Sequence, residues 1–401
     1  MEVQSDVPYS IEDLNAGWLS QGLQATGVID SSVVADFSVS RLGGQVGFNG
    51  EVAIIAPTYT PPADDAPARL VLKIPTTSKN RILGQTMGLY EKEIRFYRDL
   101  QPGMKIRTPR HYFSALDAAD DPDVILERMR GMNRLPLWTI RAIMALATRF
   151  VTSHPRHYAL LIEDLSAYRM GDQAVGCSEA DMRNIVATMA RLHAQFWASE
   201  SLHDMSWIMP YTVTSRIMQM RYRTGIERYL AEAGATLSAG RRAVLQWLRQ
   251  HGIELTETFG AEPATLLHGD FRLDNLCFDD TTGEVVLFDW QTMLAGPGAS
   301  DLAYFISATL PEATDEALVD LLIDVYHREL DGQGIDVPRE RLRWQYEIGM
   351  LTMLHRLLPA TYPEQMDLDA ERGLPLLEAW IGRIYARLEH VGHERILEQM
   401  S

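Results

Sequence analysis

The stretch from residue 268 to 289 constrains the fold of this chain more than any other. Two short apolar runs, Leu276-Cys277-Phe278 and Val285-Val286-Leu287-Phe288, flank the polar segment 279–284, Asp-Asp-Thr-Thr-Gly-Glu. Short apolar runs bounded by turn residues read as buried strands, and Gly283 is free to take the positive φ that a tight turn asks for. The two runs therefore form a hairpin. Asn275 stands just before the first strand and Asp289 just after the second. Both sit at the open end of one ribbon, on neighbouring strands roughly 5 Å apart. Asp270 lies five residues before Asn275, in the loop that enters the hairpin behind His268 and Gly269.

An amide and two acids at one corner suit a particular chemistry. A hard cation such as Mg²⁺ takes one or two carboxylate or amide oxygens and completes its shell with phosphate and water. Asn275 and Asp289 meet that demand, and Asp270 is placed to accept a hydrogen bond from an attacking hydroxyl. Phosphoryl transfer asks a protein for little more than a positioned group, a neutralised charge and an oriented acceptor. Any one of these residues alone would ordinarily be a turn or cap residue. The reading rests on the whole spacing: His-Gly-Asp, an Asn five residues after the Asp, then an apolar strand ending in Asp289-Trp290.

On these residues the chain resembles the aminoglycoside phosphotransferase and choline kinase superfamily. The run Val286-Leu-Phe-Asp-Trp-Gln291, followed by Gly296-Pro-Gly-Ala-Ser-Asp301-Leu-Ala-Tyr-Phe305, is similar to its ecdysteroid kinase-like branch and to the kinase domains fused to some acyl-CoA dehydrogenases. The resemblance implies an α+β, bilobal protein-kinase-like fold. Its small lobe is an antiparallel sheet with one key helix, and its larger, mainly helical lobe carries the catalytic hairpin. It further implies Asp270 as catalytic base, Asn275 and Asp289 as metal ligands, and ATP and Mg²⁺ as cofactors. His268 would brace the catalytic loop, and Asp301 would steady that loop from a neighbouring helix.

The remaining parts of a kinase are then sought upstream. Leu70-Val71-Leu72-Lys73-Ile74-Pro75 is a strand with a lysine among apolar neighbours. A helical stretch follows, in which Leu89, Glu93 and Phe96, and likewise Ile94, Tyr97 and Leu100, recur at helical spacing. By the family pattern Lys73 contacts the α- and β-phosphates and is held by a glutamate of this helix. Glu93 matches better than Glu91. Ahead of the strand, Gly43, Gly44, Gly47 and Gly50 lie in a strand–loop–strand setting. There backbone amides can approach a triphosphate closely, and Gly44 and Gly47 are the candidates. Leu160-Leu161-Ile162-Glu163-Asp164-Leu165 is a buried strand with acids at its end. The resemblance makes it the interlobe linker, with the main chain of Glu163 and Leu165 against adenine.

Composition sets the outer bounds. A chain of 401 residues, 46% of them hydrophobic, buries a large core and builds two or three structural units. Its net charge of −17 disfavours nucleic acid and anionic membranes. No run of apolar residues is long enough to span a bilayer, and the acidic N-terminus lacks an apolar signal core. Cys177 and Cys277, the only cysteines, fit a reducing, cytoplasmic setting.

The expected division is a nucleotide-binding lobe over 1–165, with an insertion at about 117–158, and a catalytic and substrate-binding lobe over 166–401. Strands are expected near 33–42, 52–58, 70–74 and 109–116. A helix is expected over 11–23, capped by Ser10. The insertion reads as a strand at 124–128 followed by an amphipathic helix over 138–151, suited to covering the site, to packing against a second copy in a homodimer, or to neither. Helices are expected from 178 to 197, where Asp181 completes a capping box with Ser178, and over 241–251, 318–330, 339–358 and 374–390. The function that follows is an ATP- and Mg²⁺-dependent kinase, a phosphotransferase acting on the hydroxyl of a small molecule, with a lipophilic hydroxylated acceptor favoured. An aminoglycoside- or choline-type cationic acceptor, and a nucleotide-binding pseudokinase without turnover, are the alternatives.

Overall fold

The computed structural model describes residues 7–41, 50–76, 81, 84–85, 87–117, 121–153, 156–233, 237–313, 315–361 and 373–400, and of residues 147–153, 232–233 and 399 the backbone alone. The chain divides into two compact units. One comprises Met1–Asp120, Ala145–Arg169 and Asp279–Gln291; the other comprises Asp121–Met144, Met170–Phe278 and Thr292–Ser401.

The first unit is built on five strands: β1 (Val33–Arg41), β2 (Gly50–Thr60), β3 (Leu70–Pro75), β4 (His111–Leu116) and β5 (Tyr158–Glu163). They form one antiparallel sheet in the order β1-β2-β3-β5-β4. Side chains alternate between the faces of a strand. In β3 that alternation buries Leu70, Leu72 and Ile74 and puts Lys73 on the opposite face. The buried face packs with Trp18, Leu19 and Leu23 of the Ala16–Ala25 helix, and with Phe113 and Leu161. The Trp18 ring meets Phe113 edge-on at 5.2 Å. A Cβ on Gly22 would come within 2.5 Å of the Phe113 ring, so glycine is what lets this helix lie so close to the sheet.

The helix expected over 11–23 is in fact two pieces. A 3₁₀ turn at Ile11–Asp13 carries the Ser10–Asp13 capping box. The α-helix proper begins at Ala16, where the Asn15 side chain accepts the Trp18 N–H at 2.9 Å. Asn15 is a strong N-cap whose side-chain oxygen satisfies an otherwise orphaned donor, so the helix starts there. Later in the chain, the Leu89–Arg95 helix continues into a π turn at Phe96–Leu100.

The second unit is mainly helical. Its longer helices include Glu179–Phe196, Ser215–Ala233, Ala239–Gly260, Glu316–Gly332, Arg339–Leu357 and Gly373–Val391. The Ala299–Thr309 helix is buried along its whole length and packs on Arg339–Leu357. An antiparallel pair, Ala264–Leu267 with Leu294–Pro297, leads the chain into residues 268–275. The Glu179–Phe196 helix carries the expected Ser178–Asp181 capping box.

The strand expected at 124–128 does not form. Those residues lie in a helix, Pro122–Met132, and the following helix is Leu137–Ser153. Asp121 caps the first by accepting the Asp123 N–H at 2.9 Å, and Pro122 sits at the first helical position. These start signals override the β-branched run Val124-Ile125. Among the described residues, no helix is long and apolar enough to cross a membrane.

Candidate functional site

Lys73 is the centre of the first constellation, which lies wholly within the first unit. Its Nζ is 2.5 Å from Glu93 Oε1 and 2.9 Å from Asp289 Oδ1. Glu93, only 3% exposed, also receives the Gln291 Nε2–H on its other oxygen at 3.0 Å. Glu91, the weaker candidate, is taken instead by Arg95 one turn along at 2.9 Å. Between Asp289 and Gln291, the Trp290 ring stacks on Phe96 at 4.0 Å with planes 9° apart. Three consecutive residues thus each hold a different handle on the lysine and its helix. Burial pulls the Lys73 ammonium down, but the carboxylates of Asp289 and Glu93 outweigh it and hold the group well above its ordinary value. Burial pushes Glu93 up, and Lys73 opposes that push. Asp289 takes φ +67°, left-handed backbone that few residues other than glycine adopt, Asp among the more tolerant of them.

The second constellation lies in the second unit. Asp301, at the start of the Ala299–Thr309 helix, accepts the His268 N–H at 2.7 Å and the Gly269 N–H at 3.1 Å. A fully buried His193 stands 3.4 Å from the same carboxylate. Gly269 takes φ +80°, and a Cβ there would press to 2.3 Å from the Thr292 carbonyl. The loop can pass only with glycine. His268 is fully buried and its carbonyl accepts the Thr292 hydroxyl at 3.1 Å. The turn presents Asp270, whose Oδ2 accepts the Asn275 amide at 2.8 Å. The same amide also reaches the Asp270 carbonyl at 2.8 Å. The Arg272 guanidinium lies 3.2 Å from Asp270 Oδ1 and 3.1 Å from Asp274. The Tyr304 hydroxyl donates to Asp270 Oδ1. Burial raises the Asp270 carboxyl, but Arg272, Tyr304, His268 and Asn275 together hold it below its ordinary range. It is an ionised acceptor near neutral pH.

Gln173 ties this loop from another side. Its backbone N–H reaches Asp274 at 2.9 Å, its amide oxygen accepts the Leu273 N–H at 2.9 Å, and its amide nitrogen donates to the Ala308 carbonyl at 2.8 Å. Gln173, Arg272, Asp274, Gln291 and Tyr304 were not anticipated from the sequence. Tyr304 carried a signal, since it lies three residues after Asp301 on one helix and so shares its face.

Of the other expected site residues, Glu163 ends β5. Its carboxylate pairs with Arg107 at 2.5 Å and accepts the Arg110 N–H at 2.9 Å, and its own N–H is donated to the Arg110 carbonyl at 2.9 Å. Leu165 is buried, and its carbonyl accepts the Tyr168 N–H at 2.9 Å. Gly44 and Gly47 lie outside the described residues. The 279–284 segment is the expected turn, with Gly283 at φ +76° and its N–H on the Asp279 carbonyl at 2.7 Å.

Each of the two expected metal ligands, taken by itself, keeps an oxygen of the kind a hard cation takes. Asn275 spends its amide nitrogen on Asp270, so its oxygen is the atom left to coordinate. Asp289 gives one oxygen to Lys73 and keeps the other. No group of three or more His, Cys, Asp or Glu that could hold a metal occurs among the described residues.

Residues 55–335 match the profile of the ecdysteroid kinase-like family. The chain belongs to that family. The match takes in β3, the Glu93 helix and both constellations. Among curated proteins, the chain is 36% identical over 83 residues to mouse acyl-CoA dehydrogenase family member 10, covering 20% of this chain and 7% of that protein. It is 30% identical over 122 residues to the Pongo abelii acyl-CoA dehydrogenase family member 11, covering 30% of this chain and 14% of that one. The chain thus spans a small part of these relatives. Among solved structures it is similar to a type I macrolide 2'-phosphotransferase, with a TM-score of 0.48 at 14% identity over 95% of this chain and 99% of that one. It is also similar to a choline kinase from Cryptosporidium parvum, with a TM-score of 0.49 at 10% identity over 90% of each chain. The family places the chain in the kinase-like α+β class, with an antiparallel sheet and key helix in one unit and a mainly helical second unit.

Proposed function

We propose that this protein is an ATP-dependent small-molecule kinase that transfers the γ-phosphoryl group to a substrate hydroxyl. The observation that carries the reading is Lys73, a cation on the face of the sheet opposite its apolar core, fixed between Glu93 and Asp289. Such a lysine is oriented in advance for phosphate, and Gln291 and Trp290 limit its partners' freedom to move. Asp270 accepts the acceptor's O–H and orients its oxygen towards the γ-phosphorus, taking the proton late. Asn275 and Asp289 would hold Mg²⁺, which when bound neutralises charge on the phosphate oxygens. Most of the acceleration comes from positioning and preorganised charge rather than covalent chemistry. The main chain of Glu163 and Leu165 would meet adenine, and Gly44 and Gly47 would lie over the phosphates. The division of labour is a nucleotide-binding lobe over 1–165 and a catalytic lobe over 166–401, working in the cytoplasm.

The acceptor we favour is a lipophilic hydroxylated compound. Asp270 accepts the Tyr304 hydroxyl, and the Tyr304 ring packs edge-on against Trp380 at 4.3 Å. The test is a panel of hydroxylated metabolites, sterols and aminoglycosides incubated with ATP and Mg²⁺ and read by mass spectrometry for the gain of one phosphate. A lipophilic alcohol should gain it and lose the gain on chelation. If no nucleotide binds in the presence of Mg²⁺, the proposal fails.

A further inference from the structure

Asp270 has two carboxylate oxygens, and both are engaged. Asn275 holds Oδ2 at 2.8 Å, with Arg272 3.3 Å away. Oδ1 receives the Tyr304 hydroxyl and faces Arg272 at 3.2 Å. Asn275 and Arg272 belong to the same loop as Asp270 and move with it. Tyr304 comes from the Ala299–Thr309 helix, is 7% exposed and is wedged against Trp380, whose indole N–H is fixed on Ser307 at 2.8 Å. A phenol O–H on a carboxylate oxygen is the same kind of donor as an alcohol O–H. We infer that Tyr304 occupies the seat of the acceptor hydroxyl on Asp270 and keeps water out of it until the acceptor displaces it. Tyr304 is thus a positioning residue that suppresses wasteful hydrolysis of the nucleotide. The inference rests on the proposed role of Asp270.

The chemistry it suppresses is balanced. Water on Oδ1 would attack the γ-phosphorus, the bond from that phosphorus to the β-bridging oxygen would break, ADP would leave, and the water proton would pass to Asp270. A carboxylate oxygen that loses one of its donors recruits another, and in Tyr304→Phe the small space left by the hydroxyl admits water beside Arg272.

The experiment measures ADP release from Mg-ATP without any acceptor. Tyr304→Phe should raise it about tenfold, less than the roughly 10²–10⁴-fold of a fully seated base because a water in this seat is only loosely held. The double variant with Asp270→Asn should return it to baseline. Trp380→Phe keeps the phenol but loosens its ring, and should give a smaller rise in the same direction. A readout independent of nucleotide comes from 3-fluorotyrosine placed at position 304. Its fluorine resonance should move on Asp270→Asn, because the phenol's partner changes from carboxylate to amide. Hydrolysis in Tyr304→Phe at or below the wild-type rate, with Mg-ATP still bound, overturns the inference, as does an unmoved resonance. Hydrolysis that stays raised in the double variant would instead overturn the base role, and the two failures are told apart by that control.

Discussion

Asp270, partly exposed, and Lys92, buried, illustrate two opposite ways in which a charge is handled. Asp270 is ringed by donors that hold it ionised, so in the proposed mechanism it would accept a proton only in the transition state. Asp270→Asn keeps the shape and the Asn275 contact but removes the basic oxygen. Turnover should fall by about two to four orders of magnitude, while affinity for an ATP analogue, measured by calorimetry, stays within a few-fold. Equal losses of both would contradict this division of roles. Lys92 lies one residue before Glu93, is 8% exposed, and burial lowers its ammonium to about 8. The unfolded chain therefore binds more protons than the folded one between about pH 8 and 10.5. Stability should rise with pH across that window, and below it the full cost of the buried charge is present. Lys92→Met should stabilise the protein at pH 7 by about 3 kcal/mol, the worth of such a shift. The gain should vanish by about pH 10.5, near the lysine's unperturbed value, in paired melts of variant and wild type.

At the scale of elements, the loop of residues 268–275 is rigid because a helix end, a strand end and a glutamine all hold it. Asp301→Ala would leave the buried N–H groups of His268 and Gly269 without their acceptor. Each such orphan costs about 1–3 kcal/mol, so chemical denaturation should show a loss of several kcal/mol. Asp301→Asn, which keeps one acceptor oxygen, should lose about half as much. A drop within error for the alanine variant would mean that the loop is fixed by other contacts. Much of this element was legible in the sequence, because its parts are local: apolar runs, a glycine turn and acids at the run ends. What escaped was carried by partners far along the chain. Gln173 reaches Leu273 across a hundred residues, and Gln291 reaches Glu93 across nearly two hundred, distances at which no periodicity signals a pair. The strand expected at 124–128 failed for a different reason: the β-branched run was read ahead of the Asp121-Pro122 helix start. The helix expected over 11–23 forms in two pieces, because Asn15 caps a second start inside it.

The whole molecule bears 17 net negative charges at neutral pH, yet the proposed ligand is a polyanion. Long-range charge alone would repel ATP, so the proposed binding would have to rest on local cations: Lys73, and the metal that Asn275 and Asp289 are proposed to hold. Stability linked to binding makes this measurable. A ligand that binds only the folded chain, at a hundred times its dissociation constant, adds about 2.7 kcal/mol. A non-hydrolysable ATP analogue with Mg²⁺ should therefore raise the melting temperature by several degrees, whereas the analogue with a chelator should raise it little. Asn275→Ala and Asp289→Ala should abolish the metal-dependent part. Lys73→Met should weaken the response with or without metal, because it removes the cation that meets phosphate directly. Raising salt should weaken the repulsion and the local attraction together, but exposed charges are screened more than partly buried ones. Lys73 is 14% exposed at its side chain. Moderate salt should thus leave the Mg²⁺-dependent shift largely intact. A shift that appears equally without Mg²⁺, or survives in Asp289→Ala, would show that the nucleotide is held by other groups.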